Sequence, residues 1–182
     1  GYSLNVGYNY KQRYLIDFNG AYNGTDRFGK DNRFGFFPAV GVGYVISEEP
    51  FFKERFGDKV QLLKLRGSYG LVGSDVTYGN RYLYKQQYHS GGGYWFGEGG
   101  NGEGSIFEGD LGNDDVTWEK AKKLDIGLDF KIFNRLNVTV DYFRDIRYDQ
   151  LASRSNIPAI LGVGVSPTNV ARTRNTGFDG SI

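Results

Sequence analysis

Apolar and polar residues alternate at period two through most of this chain, in segments of roughly ten residues that outrun most soluble strands. Successive side chains of a strand point to opposite faces, so each such segment has one oily side and one wet side. From Lys123 to Phe133 the oily set is Leu124, Ile126, Leu128, Phe130 and Ile132, against Asp125, Gly127, Asp129 and Lys131. The same reading holds for Leu4, Val6, Tyr8 and Tyr10, and for Tyr14, Ile16, Phe18 and Tyr22. It holds again for Phe36, Val40, Val42, Tyr44 and Ile46, for Leu63, Leu65, Tyr69 and Leu71, and for Leu136, Val138, Val140 and Tyr142. Residues 169–182, marked by Phe178 and Ile182, form a weaker seventh candidate.

The connections alternate in length. Lys11-Gln12-Arg13 and Asn134-Arg135 are tight, whereas 25–33, 74–116 and 152–168 are long and rich in Gly, Asn and Asp. Short turns at one end of a sheet and long loops at the other is the pattern of an outer-membrane barrel, with the long loops outside the cell. The expected fold is therefore all-β: a partial antiparallel transmembrane β-barrel of about seven long strands. Residues 47–56 break the pattern on the short side. A Ser N-cap, early acids and Phe51, Phe52 and Phe56 at near-helical spacing predict a short amphipathic periplasmic helix. Tyr10, Tyr14, Tyr44 and Tyr142 lie at strand ends and fit an interfacial aromatic girdle.

Composition narrows the function classes. With no cysteine there is no disulfide scaffold, thiolate metal site or cysteine nucleophile. The lone His89 excludes a multi-histidine zinc site within the chain, and a net charge of +1 offers no field for nucleic acid. No apolar run reaches the length of a transmembrane helix, which excludes helical membrane proteins only. No Ser/His/acid constellation supports an enzyme, and no cofactor is expected. The absence of Met suggests a fragment or a processed piece.

Glycines crowd residues 91–104, a stretch expected to resist one compact conformation because each Gly loses the most backbone entropy on ordering. Its G-x-G-x-x-G at Gly97, Gly99 and Gly102 lacks the strand and helix setting of a dinucleotide site. The aromatic cluster Tyr78, Tyr82, Tyr84, Tyr88, Tyr94, Trp95 and Phe96 lies in or beside this loop. Aromatic faces suit sugar rings, peptides or a protein lid, so Tyr82, Tyr88, Tyr94, Trp95 and Phe96 are the candidate substrate or lid contacts. Packing of the loop on itself is the alternative. Asp110, Asp114, Asp115 and Glu119 are compatible with calcium or with a solvated loop. Gly41 and Gly43, on the wet face, would leave room inside a barrel or mark a bulge.

Three segments carry a family resemblance. The run from Arg27-Phe28-Gly29 through Asn32-Arg33 and Phe37-Pro38 to Ile46-Ser47-Glu48-Glu49 is the first, and Leu63-Lys64-Leu65-Arg66 to Gly73 is the second. Trp118-Glu119-Lys120, Ile126-Gly127-Leu128-Asp129 and Arg135-Leu136 to Asp141-Tyr142 make the third. Together they resemble the SusC/RagA family of TonB-dependent outer-membrane transporters of Bacteroidota, with Tyr44 where Trp is usual and Asp114 where Pro is usual. The resemblance implies a 22-stranded barrel of which this is part of the C-terminal half. It also implies an N-terminal plug and a TonB box beyond this sequence, a SusD-like surface lipoprotein partner, and the TonB-ExbB-ExbD complex. The implied activity is uptake of glycan or peptide oligomers. A siderophore or cobalamin receptor is the alternative within the wider class, and a soluble β-rich adhesin or sandwich module the alternative outside it.

Overall fold

The computed structural model describes residues 1–77, 79, 81–98, 101–133, 135–153 and 162–182. Seven strands form one antiparallel sheet and two more form a separate hairpin. In chain order they are β1 (Tyr2–Tyr10), β2 (Tyr14–Gly24), β3 (Phe34–Val45), β4 (Val60–Ser74), β5 (Tyr88–Phe96), β6 (Asn101–Glu108), β7 (Glu119–Ile132), β8 (Leu136–Ala152) and β9 (Thr168–Ser181). The large sheet runs β1-β2-β3-β4-β7-β8-β9, with β1 and β9 as its edges, and β5 pairs only with β6.

Register explains the alternation. One row crosses the sheet through Tyr8, Ile16, Val42, Gly67, Ile126, Tyr142 and Phe178. The row beside it on the same face holds Tyr10, Tyr14, Tyr44, Leu65, Leu128, Val140 and Gly180. On the opposite face Asn9, Leu15, Gly43, Arg66, Gly127, Asp141 and Asp179 align. The oily residues are exposed, among them Leu4, Val6, Ile16, Val42, Ile126 and Val140. A water-soluble sheet would bury such a face under a second layer.

At the tight end, Lys11 and Gln12 both take positive φ (52° and 58°) and Arg13 N–H donates to Tyr10 O, the hairpin turn whose twist matches the flanking strands. The β7–β8 turn is closed by Arg135 N–H to Ile132 O (3.1 Å); its Asn134 lies outside the described residues. The expected helix begins later than Ser47. A 3₁₀ turn covers Ile46–Glu48, and α1 spans Pro50–Phe56 with Glu49 at its N-cap. Pro50, with no N–H to leave unpaired and φ already set, is the better first residue, and Ser47 is instead buried in the preceding turn.

The second correction concerns residues 91–104. Residues 91–96 and 101–104 lie in a two-stranded hairpin, because Gly92 and Gly97 adopt positive φ at a bulge and at the tip, where other residues would be strained. Gly99 of the G-x-G-x-x-G lies outside the described residues, and Gly97 and Gly102 belong to the hairpin rather than to a strand-to-helix turn. Gly41 and Gly43 sit in an unbroken β2–β3–β4 register, so they do not mark a bulge. Tyr142 is likewise not at a strand end. It lies one row inside the Tyr10–Tyr14–Tyr44 row and packs on Phe178 at 5.2 Å.

Candidate functional site

Three groups of side chains sit where this architecture meets its surroundings. The first is on the wet face. Arg66 reaches from β4 over Gly127 on β7, its Nη2 2.7 Å from Asp141 Oδ1 and 2.8 Å from Asp141 Oδ2 on β8. Its Nε lies 3.3 Å from Asp129 and its Nη1 3.4 Å from Asp125. Gly127 leaves the space the guanidinium occupies: a Cβ at that position would lie 2.6 Å from the guanidinium carbon and would make the Arg66 side chain shift. Beside the cluster, Asp17, Gly41, Gly43, Lys64 and Ser68 line a shallow dent of about 220 Å³. One guanidinium among three carboxylates leaves this wall net acidic.

The second group is at the tight end. Glu49 is 8% exposed and accepts from Arg13 Nη1 (3.2 Å), Tyr14 Oη (2.9 Å) and Tyr44 Oη (3.3 Å). The Tyr14 and Tyr44 rings stack at 5.1 Å. The β1–β2 turn, two strands and the start of α1 are thereby held by one carboxylate.

The third group occupies the end with the long connections. The β3–β4 ladder stops at Ala39–Gly70 although both strands continue. There Phe28, Phe37, Leu83, Val116 and Trp118 make a buried core, with Trp118 edge-on to Phe28 (5.6 Å) and Phe37 (5.1 Å). A Cβ at Gly35 or Gly73 would collide with the Phe37 ring. This core roots the connections: Asn113 N–H donates to Leu83 O, and Asn169 Nδ2 donates to Thr117 O and Asp149 O. Arg81 and Asp26 pair across the surface at 3.0 Å, and that hydrogen bond holds the Asp26 carboxyl below its ordinary value and raises the guanidinium.

Above this root the hairpin is exposed, with Tyr94 70% and Trp95 77% accessible. Tyr94 and Phe96 share a face with ring centroids 6.5 Å apart, and Trp95 points to the other face. Tyr88 stands at the hairpin root opposite Glu108. Tyr82 lies apart, before β5, edge-on to Tyr84 at 6.1 Å and under the cations of Arg81 and Lys85. Tyr78 lies outside the described residues. The sequence-derived set is thus split into a hairpin group and a root group. The hairpin adds Ile106 and Phe107, both exposed, which a Gly-broken alternation conceals.

Asp110, Asp114, Asp115 and Glu119 do not converge. Glu119 accepts the Leu151 N–H (2.9 Å), Asp110 packs against Gly164, and among the described residues no group of three acids or histidines is placed to hold a metal.

Comparison with known proteins agrees with this layout. The whole chain, residues 1–182, matches the family described as TonB dependent receptor-like, beta-barrel. It is 34% identical over 178 residues to TonB-dependent receptor P39 of Formosa agariphila, covering 97% of this chain and 16% of that protein. To TonB-dependent receptor SusC of Bacteroides thetaiotaomicron it is 32% identical over 185 residues, covering 97% and 17%. The RagAB peptide importer in its open-open state superposes with a TM-score of 0.79 at 27% identity, over 96% of this chain and 18% of that one. The chain thus spans about one sixth of the length of the relatives it matches. With a lipid-compatible outer face, a charged inner face and this likeness along its whole length, the chain belongs to the TonB-dependent receptor β-barrel family of the outer membrane, in its SusC/RagA branch.

Proposed function

We propose that residues 1–182 form wall and outer loops of an energy-coupled importer of peptide or glycan oligomers, as a seven-strand sector of a barrel of about 22 strands. The observation that carries this reading is the two-faced sheet. Its oily rows need a hydrocarbon solvent, its edges need strands to pair with, and only a closed barrel satisfies both in a bilayer. From Tyr14 to Tyr22 a strand rises about 27 Å, or roughly 20 Å along the normal at a 40° tilt, close to the apolar band of such barrels. The Tyr10–Tyr14–Tyr44 row and the Tyr2–Tyr22–Phe36 row bound that height.

In this reading a plug and a TonB box, supplied elsewhere in a longer chain, would be pulled by TonB-ExbB-ExbD from the periplasmic side. A SusD-like lipoprotein would close over the long-connection side. Tyr82, Tyr88, Tyr94, Trp95 and Phe96 would meet the lid or the substrate, with the exposed hairpin group making the main contact. Likeness to SusC and to the RagAB peptide importer supports the oligomer class. The test is uptake by cells carrying the full-length receptor. Uptake is expected to vanish without TonB and to fall several-fold in a Tyr94→Ala/Trp95→Ala variant present at normal surface level. Unchanged uptake in that variant removes the hairpin from the reading.

A further inference from the structure

The oily face is not uniform around the sheet. On β1–β3 the rows above Val6–Phe18–Val40 hold Leu4–Gly20–Pro38 and then Tyr2–Tyr22–Phe36, all uncharged. On β7–β9 the matching face turns basic one row sooner, from the row that continues Val6–Phe18–Val40 through Tyr69. Leu124, Arg144 and Thr176 share one row, Lys122, Ile146 and Arg174 the next, and Lys120 and Tyr148 the one beyond. Arg144 is thus the diagonal neighbour of Lys122 on one side and Arg174 on the other, within reach of long side chains. Lys122 lies over the Tyr148 ring (5.4 Å), and Arg174 Nε contacts Thr176 Oγ1 (3.4 Å), which confirms the shared face. Arg172 follows on the exposed side of β9.

Among the described residues these cations lack counter-charges. Lys120 alone has one, in Asp149 at 3.4 Å. Arg144 Nε is shielded from solvent with no acceptor. The neighbouring connection brings no acid either, since residues 153–168 contain no Asp or Glu. Like charges gathered on β7, β8 and β9 repel one another, and an anion seated among them would offset that repulsion.

We infer that Lys122, Arg144 and Arg174, flanked by Lys120, Arg172 and Tyr148, form a binding site on the outer wall for the phosphate groups of an outer-leaflet glycolipid, whose acyl chains lie on Leu124, Ile126 and Tyr142 below. This rests on the membrane-spanning reading above: the strand tilt inclines ladder rows to the membrane plane, so a row central on β2 does not mark the same depth on β8, and the cations stand on the long-connection side of Ile126 and Tyr142. Arginine forks match phosphate oxygens, and the tyrosine ring suits the interface between acyl chain and headgroup. Cations near a charged bilayer surface contribute roughly a fivefold gain in affinity each.

The test uses the full-length receptor extracted from outer membranes. Phosphorylated glycolipid retained through detergent exchange is measured for the parent, for Lys122→Gln/Arg144→Gln/Arg174→Gln, and for the charge-keeping Arg144→Lys/Arg174→Lys. The neutral triple variant is expected to lose retention about tenfold or more, and the lysine variant to stay within a few-fold of the parent. Purified lipopolysaccharide is expected to displace the bound lipid, and its dephosphorylated form and inorganic phosphate to fail. Equal retention in the triple variant, or equal competition by dephosphorylated lipid or inorganic phosphate, overturns the site. Heat-modifiable mobility of each protein reports the barrel separately: a folded barrel that retains lipid without the cations sinks this inference alone, and absence of a barrel sinks the spanning reading with it.

Discussion

Ile16 and Asp17 are consecutive residues of β2, yet they belong to two different solvents. Ile16 stands in a row of apolar side chains that touch little else in the chain, and Asp17 lines the dent beside Arg66. On the outer face the requirement is generic: any apolar residue of suitable size would serve, because lipid adapts to it. On the inner face the requirement is particular, since Arg66 meets Asp125, Asp129 and Asp141 across the space left open at Gly127. One backbone thus carries a surface that accepts any apolar residue but no charge, and one that accepts polar changes except where they touch the Arg66 cluster.

That contrast breaks most visibly at Ile16→Arg. A cation in mid-bilayer costs about 2–4 kcal/mol in barrels of this kind, so the full-length receptor is expected to fold poorly into vesicles in a denaturant titration, whereas Asp17→Asn stays near the parent. Equal behaviour of the two would abolish the distinction between faces. A smaller effect is expected at Arg66→Gln. Losing the guanidinium leaves three carboxylates facing one another, and because Arg66 is partly solvated the loss is about 1–3 kcal/mol. Adding Asp141→Asn should recover part of it, and strict additivity in the double-mutant cycle would show that the cluster is not a unit.

The smallest effect sits beyond both faces, at Asp26 and Arg81. Arg81 holds the Asp26 carboxyl below its ordinary 3.8, so the folded protein binds that proton less readily than the unfolded chain does. Its contribution is full above about pH 4 and is lost as pH falls through the lowered folded value. Amide exchange around residues 81–85 should therefore be flat from pH 8 to 5 once corrected for intrinsic rates, and rise at lower pH. Asp26→Asn should remove that acid-dependent rise.

The large sheet was legible because its strands keep their alternation through uninterrupted runs such as Leu124 to Ile132. The hairpin was not, because Gly91, Gly92 and Gly93 carry no side chain to mark a face and the bulge shifts the register among them. Ser47 reads as a helix start because a hydroxyl before acids imitates a cap, while Pro50 sets the first turn. The inner cluster was legible only in halves. Asp125 and Asp129 could be assigned to one face, but Arg66 is 59 residues from Asp125 and 75 from Asp141, and only the sheet's register brings them together. The five aromatic candidates could be placed in the long connection, but not divided between the hairpin and its root, since that division depends on where pairing begins at Tyr88.

The direct β4–β7 pairing has a consequence for how such receptors diversify. Ser74 and Glu119 face each other at the end of the β4–β7 ladder, so everything from 75 to 118 is a detour that leaves and rejoins the wall at one place. Lengthening a detour is cheap, about 0.6 kcal/mol for each doubling of a flexible loop. Provided the rooting residues Leu83, Val116 and Trp118 are kept, the segment between them is an exchangeable cassette. Recombination there would exchange the exposed hairpin without disturbing a single rung of the ladder beneath it.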